Sequence, residues 1–245
     1  MLQKSIVAFF ILLLASFVTA FLSLNFLVKK AVNTVGPRIM KVDVRLATAD
    51  ISPLSGSGSL LHLQIGNPEG YKDPYSLLFG GIQVKTQRDS LFASPVIVNE
   101  ITIRNPEINI EGTPFSNNLT KILSNLKSSS KNSETAENNA SPSDTKKSKK
   151  VIVKEILITG AKLHVHLSAA NQSLDRTLVL PDIAIHNVGS DGEGVTMTEL
   201  SSQILTPLLN SAIIEGGTVL AKQGLKQLEK QGVDQLNKVL GNFLK

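Results

Sequence analysis

His164 and His166 stand two residues apart in the stretch LHVHL, so on a strand both imidazoles project from the same face. Two imidazoles at that spacing can chelate a metal. The competing reading is that they are the polar positions of an alternating strand. No carboxylate neighbours them in sequence, and His62 and His186 stand in no fixed relation to them, so alternation accounts for the pair and no metal is expected. Glu100 and Glu155 are the other pair with chemical potential, because two carboxylates can share acid–base work. They occupy the same place in two copies of a repeated line, which marks them as solvent-face strand residues. Serine is abundant, yet there is no G-x-S-x-G elbow, no phosphate-binding G-x-x-x-x-G-K-[ST], no G-x-G-x-x-G after a strand and no H-E-x-x-H. The chain has no Cys, which excludes disulfides, thiolate catalysis and Cys-ligated zinc. Asn118-Leu119-Thr120, Asn139-Ala140-Ser141 and Asn171-Gln172-Ser173 are sequons, of consequence only in a eukaryotic secretory pathway. No catalytic residue, cofactor or enzymatic activity is expected.

The elements that carry these residues are repeats. Residues 96 to 111 read VIVNEITIRNPEINIE and residues 151 to 167 read VIVKEILITGAKLHVHL. The first eight residues of the two lines match at six positions. Apolar residues alternate along the first line with one interruption, at Asn105-Pro106. Ile101 and Ile103 give way to Ile108 and Ile110, and Ile156 and Ile158 to Leu163 and Val165. Each change is a jump of five residues, which reverses the phase of a period-two pattern. A bulge or tight bend at Asn105-Pro106 and at Thr159-Gly160 would keep both halves facing one way. Period two also governs Val42, Val44 and Leu46, then Leu61, Leu63 and Ile65, then Ile82 and Val84, then Leu178, Leu180, Ile183 and Ile185. The expected fold is α+β, mainly β: a curved antiparallel sheet built from repeated strand units with one continuous apolar face.

Ile6 to Val28 is a run of 23 uncharged residues. As a helix it would be ~35 Å long, enough to cross a ~30 Å hydrocarbon core. Val18-Thr19-Ala20 would suit signal-peptide cleavage, but the apolar run continues to Val28, which favours an uncleaved N-terminal transmembrane anchor over residues 1–30. No other 18-residue apolar run follows, so a single pass is expected. The net charge of +5 resides in a Ser/Lys-rich stretch and in the tail. With no aromatic stacking partners beside those lysines, nucleic acid is not an expected partner.

Residues 31–126 are read as a first β-rich region in which Leu119, Ile122, Leu123 and Leu126 mark a short helix. Residues 127–150, poor in large apolar side chains, are read as a disordered linker, and 151–195 as a second β unit. Over 196–245 the period becomes helical. Leu200, Ile204, Leu208 and Ile213 form one expected helix with Pro207 as a kink. Val219 to Leu244 forms a second, with Leu225, Leu228, Leu236, Val239, Leu240 and Phe243 opposite Lys222, Lys226, Lys230 and Lys238. These amphipathic helices either lie on an anionic membrane or cover the sheet.

The stretch GNPEGY at Gly66–Tyr71 closes a strand, LLHLQI. It is followed by Asp89-Ser90-Leu91-Phe92, by a strand ending in Pro106, Ile108, Ile110 and Glu111, and by Asn118-Leu119 opening a helix. This order resembles the N-terminal region of the AsmA-like family, with Asn67, Pro68, Gly70 and Tyr71 matching its turn motif. The Asn-Pro turn is also similar to that of the non-catalytic water-stress β-sandwich domains. The AsmA-like resemblance covers about residues 1 to 190. It implies a bacterial inner-membrane protein, single-pass through residues 6–28, with the bulk of the chain in the periplasm. It further implies a β-groove that binds phospholipid acyl chains and serves lipid transport or outer-membrane biogenesis, with other envelope proteins as partners. The groove residues would be Ile101, Ile103, Ile108, Ile110, Ile156, Ile158, Leu163 and Val165. The departure is length: members that bridge the periplasm are several times longer. The alternative is a membrane-tethered structural or adaptor module whose apolar sheet face is covered by its own C-terminal helices.

Overall fold

The computed structural model describes residues 23–139, 149–169 and 172–243, with side chains over 23–130, 149–168 and 173–226. Helix α1 occupies residues 23–40. The part of the expected anchor before residue 23 lies outside the described residues. Then follow β1 (Val44–Ser52), β2 (Ser57–Ile65), β3 (Leu77–Thr86), β4 (Val96–Arg104), β5 (Glu107–Gly112), α2 (Asn118–Asn139), β6 (Val151–Thr159), β7 (Lys162–Ala169), β8 (Gln172–Val179), β9 (Ile183–Val188) and α3 (Met197–Phe243).

The fold is α+β, and its nine strands form one sheet. Residues 151–188 therefore extend the first β region rather than making a second unit. The sheet is mixed, which corrects the expectation of an antiparallel one. β4 pairs with β6, and β5 with β7, in parallel. The two repeated lines lie side by side in register: Ile101 beside Ile156, Ile103 beside Ile158, Ile108 beside Leu163, Ile110 beside Val165. Parallel neighbours need a crossover rather than a hairpin, and the chain from Asn118 to Lys150 supplies it.

Each repeated line bends where the phase jump demands. Asn105 (φ 48°) and Gly160 (φ 64°) hold the equivalent positions in the left-handed region that glycine and asparagine tolerate best. A Cβ on Gly160 would run into the Asn105 side-chain Oδ1. The bends are in line across the sheet. Asn105 N–H donates to Thr159 O (2.8 Å), Gly160 N–H to Asp182 Oδ1 (3.0 Å) and Leu180 N–H to Ala161 O (2.8 Å). In β2 the line continues at His62, φ 53°, and in β3 at Gly80-Gly81. A second phase change escaped the sequence pattern. Thr86 pairs with Val98 while Lys85 pairs with Glu100, so a bulge lies between Val98 and Ile101. All of Val96-Ile97-Val98 is apolar, and the phase there is unreadable from hydropathy.

Helices α2 and α3 lie on the apolar face. Leu119, Ile122 and Leu126 of α2, and Leu200, Leu205, Leu208, Leu209, Ala212 and Leu220 of α3, join the strand residues in one core. The C-terminal region is one continuous helix through Pro207, not two. At Gly216 its backbone lies close on Leu167 and Ile110 of the sheet. Leu225, expected on the apolar side, is exposed, and the side chains from residue 227 onward lie outside the described residues. Residues 127–139, expected to be disordered, continue α2. Hydropathy does not record the side-chain hydrogen bonds of α2: Asn125 Nδ2 donates to Met40 O (2.9 Å) and Ser129 Oγ to Ile39 O (2.8 Å), docking α2 on the end of α1.

The two sheet edges differ. The outer edge of β1 is capped by α1, where Leu46 N–H donates to Asn33 Oδ1 (2.6 Å) and Ile51 N–H to Asn25 Oδ1 (2.8 Å). The edge formed by β8 and β9 has no partner strand among the described residues.

Candidate functional site

Two places could carry function: the apolar face and a polar cleft on the opposite side. The eight residues expected to line a groove, Ile101, Ile103, Ile108, Ile110, Ile156, Ile158, Leu163 and Val165, come together as the in-register pairs described above. They are between 0% and 5% exposed, packed in the core that includes α2 and α3. In this arrangement an acyl chain reaches them only if a helix leaves the sheet. Helix α3 is the one described element long and apolar enough, over Met197–Lys226, to cross a membrane by length and composition, and its buried leucines face the sheet instead.

The turn-motif residues form a brace. Asn67 Nδ2 donates to Asp73 O (2.8 Å), closing the loop between β2 and β3. Asn67 Oδ1 accepts from Ser76 Oγ and from Asn118 Nδ2, the latter at 2.7 Å. Asn118, buried at the start of α2, also donates to Asn109 O (2.8 Å), and its Oδ1 accepts from Glu111 N–H and Leu119 N–H, both at 2.9 Å. Glu111 Oε2 in turn accepts the backbone N–H groups of Lys72 (2.7 Å) and Asp73 (3.0 Å). Gly70 has φ 96°, a turn conformation, and Lys121 Nζ lies 4.8 Å from the centre of the Tyr71 ring. Ser90 plays a similar part in its own loop, accepting from Ile97 N–H (2.9 Å) and donating to Gln87 O (2.7 Å). Buried polar groups need such partners. The scattered residues of the motif thus meet in space as backbone ties between the β2–β3 loop, β5 and α2.

Beside this brace is an open cleft of about 450 Å³ lined by Lys72, Asp73, Glu111, Gly112, His166 and Ser168. His166 Nδ1 lies 3.7 Å from Asp73 Oδ1 and Nε2 lies 3.8 Å from Asp175 Oδ1. Asp73 Oδ2 is buried with no hydrogen-bond partner. Burial raises the Asp73 carboxyl above its ordinary value, and the His166 ring pulls the other way. Sequence reading missed this cluster because Asp73 and His166 are far apart in the chain. His164 does not join it; its Nδ1 is 3.0 Å from Thr177 Oγ1. Among the described residues no group of three potential ligands could hold a metal. Glu100 and Glu155 have separate partners, Glu100 with Lys85 at 2.9 Å and Glu155 with His186 at 3.9 Å. Hydrogen bonds from Thr102 and Lys85 hold the Glu100 carboxyl below its ordinary value. The cleft holds an acid and a base in proximity. Among its described lining residues the one hydroxyl, Ser168 Oγ, donates to Gly112 O at 3.4 Å, and no nucleophile–base pair is assembled.

No protein-family model, no curated protein and no solved structure matches the chain.

Proposed function

We propose that the chain is a non-enzymatic module of the bacterial cell envelope, a short AsmA-like protein tethered in the inner membrane through residues 6–28 with its sheet in the periplasm. In this reading it acts as a structural adaptor rather than as a lipid carrier. The observation that carries it is the burial of all eight apolar positions of the repeated lines in one core with α2 and α3. A groove for acyl chains needs an accessible apolar lining, and here that lining is occupied by the chain's own leucines. The open edge of β8 and β9 is where an extended segment of another envelope protein would add a strand, since unpaired edge N–H and C=O groups template pairing. The edge of β1 is closed to such pairing by Asn25 and Asn33.

The test is lipid content. The full chain is purified from bacterial membranes, exchanged into detergent-free nanodiscs of a lipid absent from the host, and extracted. Host phospholipid at background level supports the adaptor reading. Host phospholipid retained at near-stoichiometric amount refutes it and returns phospholipid binding and transport as the function.

A further inference from the structure

We propose that the end of the sheet where α1 enters is itself docked in the membrane interface, with Leu54 of the β1–β2 turn and Phe92 of the β3–β4 loop inserted among the lipids beside the anchor. This rests on residues 6–28 spanning the bilayer.

The geometry points there from the register between α1 and β1. Asn25 caps Ile51 and Asn33 caps Leu46, so α1 runs antiparallel to β1 and its first described turn lies at the β1–β2 turn. Asn25 is inside the uncharged run, four residues before Lys29. At 1.5 Å per residue the end of β1 therefore lies about 6 Å to the apolar side of that lysine. The turn projects beyond Ile51, and Leu54 at its tip is 67% exposed. The β3–β4 loop is tied to the same level: Arg88 Nη1 donates to Leu54 O (3.3 Å) and Thr86 N–H to Gly56 O (2.7 Å). Phe92 in that loop is 94% exposed. Phe26 and Leu27 are exposed on α1 at this level too.

Large exposed apolar side chains gathered at one end of a domain mark an interaction surface. The occupant is a bilayer because the helix that reaches this end is the continuation of the apolar run. The charges suit an interfacial depth rather than the hydrocarbon core. Lys29, Lys30, Lys149 and Arg88 are exposed cations that can meet lipid phosphates, while Asp50 and Asp89 at this end need water. The surface stops at the β9–α3 turn, where Asp191 and Glu193 are exposed.

The chain has no Trp, so single substitutions give clean reporters. Leu54→Trp and Phe92→Trp place an indole at the two tips. Phe115→Trp is the control: it is 95% exposed and follows β5, at the far end of the bent β4–β5 strand. That strand would span ~50 Å if straight, at ~3.3 Å per residue. All three positions are exposed enough to accept Trp without disturbing the core, and circular dichroism checks each. Each full-length variant is reconstituted in phosphatidylethanolamine/phosphatidylglycerol vesicles carrying brominated acyl chains. The expected result is blue-shifted emission and loss of most intensity at 54 and 92, with the indole at 115 unquenched. Equal, water-like emission at all three sites, in chains that float with the vesicles and resist carbonate washing, overturns the docking and leaves the anchor standing. Chains stripped from the vesicles by carbonate overturn the anchor, and the docking with it.

Discussion

Replacing Ile103 and Ile158 together separates a core from a ligand-lined groove. The two residues are in-register neighbours on adjacent parallel strands, 2% and 1% exposed. An Ile→Ala change at a fully buried site costs about 2–5 kcal/mol, the transfer term plus the cavity left behind. The two cavities would be contiguous, so the sum is not strictly additive, and the double variant should lose roughly 4–8 kcal/mol. That is comparable to the whole stability of a typical domain, about 5–15 kcal/mol. Ile158→Val, which removes one methyl group, should lose about 1 kcal/mol and calibrates the scale. The assay is urea unfolding of the full chain in nanodiscs, followed by circular dichroism of the strands. The expected order of midpoints is parent, then Ile158→Val, then each single Ala, then the double variant at or near unfolding in water. A double Ala variant that unfolds at the parental midpoint would show that these side chains do not hold the helices on the sheet. Combined with a loss of bound phospholipid, that result would refute the adaptor reading and reinstate the groove.

Two further outcomes follow from the polar side. Asn118→Ala removes two donors and two acceptor contacts from a buried site and orphans groups on Asn109, Glu111 and Leu119. At about 1–3 kcal/mol for each buried group left unpaired, it should destabilise more than Asn117→Ala. The latter removes the helix cap to Thr120 N–H, worth ~1 kcal/mol, and the longer bonds that Asn117 Nδ2 donates to Thr113 O (3.2 Å) and Pro114 O (3.4 Å); the reverse ranking in thermal melts would sink the brace. Asp73 titrates above its ordinary value in the fold, so its ionisation opposes folding. That share of stability is present below the unfolded-state value, near pH 4, and is lost as pH rises through the higher folded-state value. Asp73→Asn should therefore melt above the parent at pH 7 and approach it on acidification below about pH 4; a gap that widens with acid contradicts the burial argument.

The bends were legible because they are local: a five-residue jump in an alternating pattern forces a compensating backbone turn, and Asn105 and Gly160 supply it with left-handed φ. The short apolar signature Leu119, Ile122, Leu123 and Leu126 likewise marked a helix that is present. The extent of that helix was not legible: Asn125 and Ser129 tie it to the end of α1 by side-chain hydrogen bonds that apolar periodicity does not record. The turn-motif residues were visible as an ordered series, but not their meeting. Asn67 and Asn118 are 51 residues apart and touch only in the fold.

By itself the sequence determined the strand and helix periods, the apolar face of the strands that alternate cleanly, and the bends at Asn105-Pro106 and Thr159-Gly160. These follow from side-chain direction along a few residues of chain. Only the tertiary structure decided that the two repeated lines run parallel, that one unbroken helix lies over them, and that His166 stands between Asp73 and Asp175. Strand direction, and which surface covers an apolar face, are settled by hydrogen bonds and burial between segments far apart in the chain. A hydropathy period records that a residue is buried, and the identity of what buries it is a property of the assembled molecule.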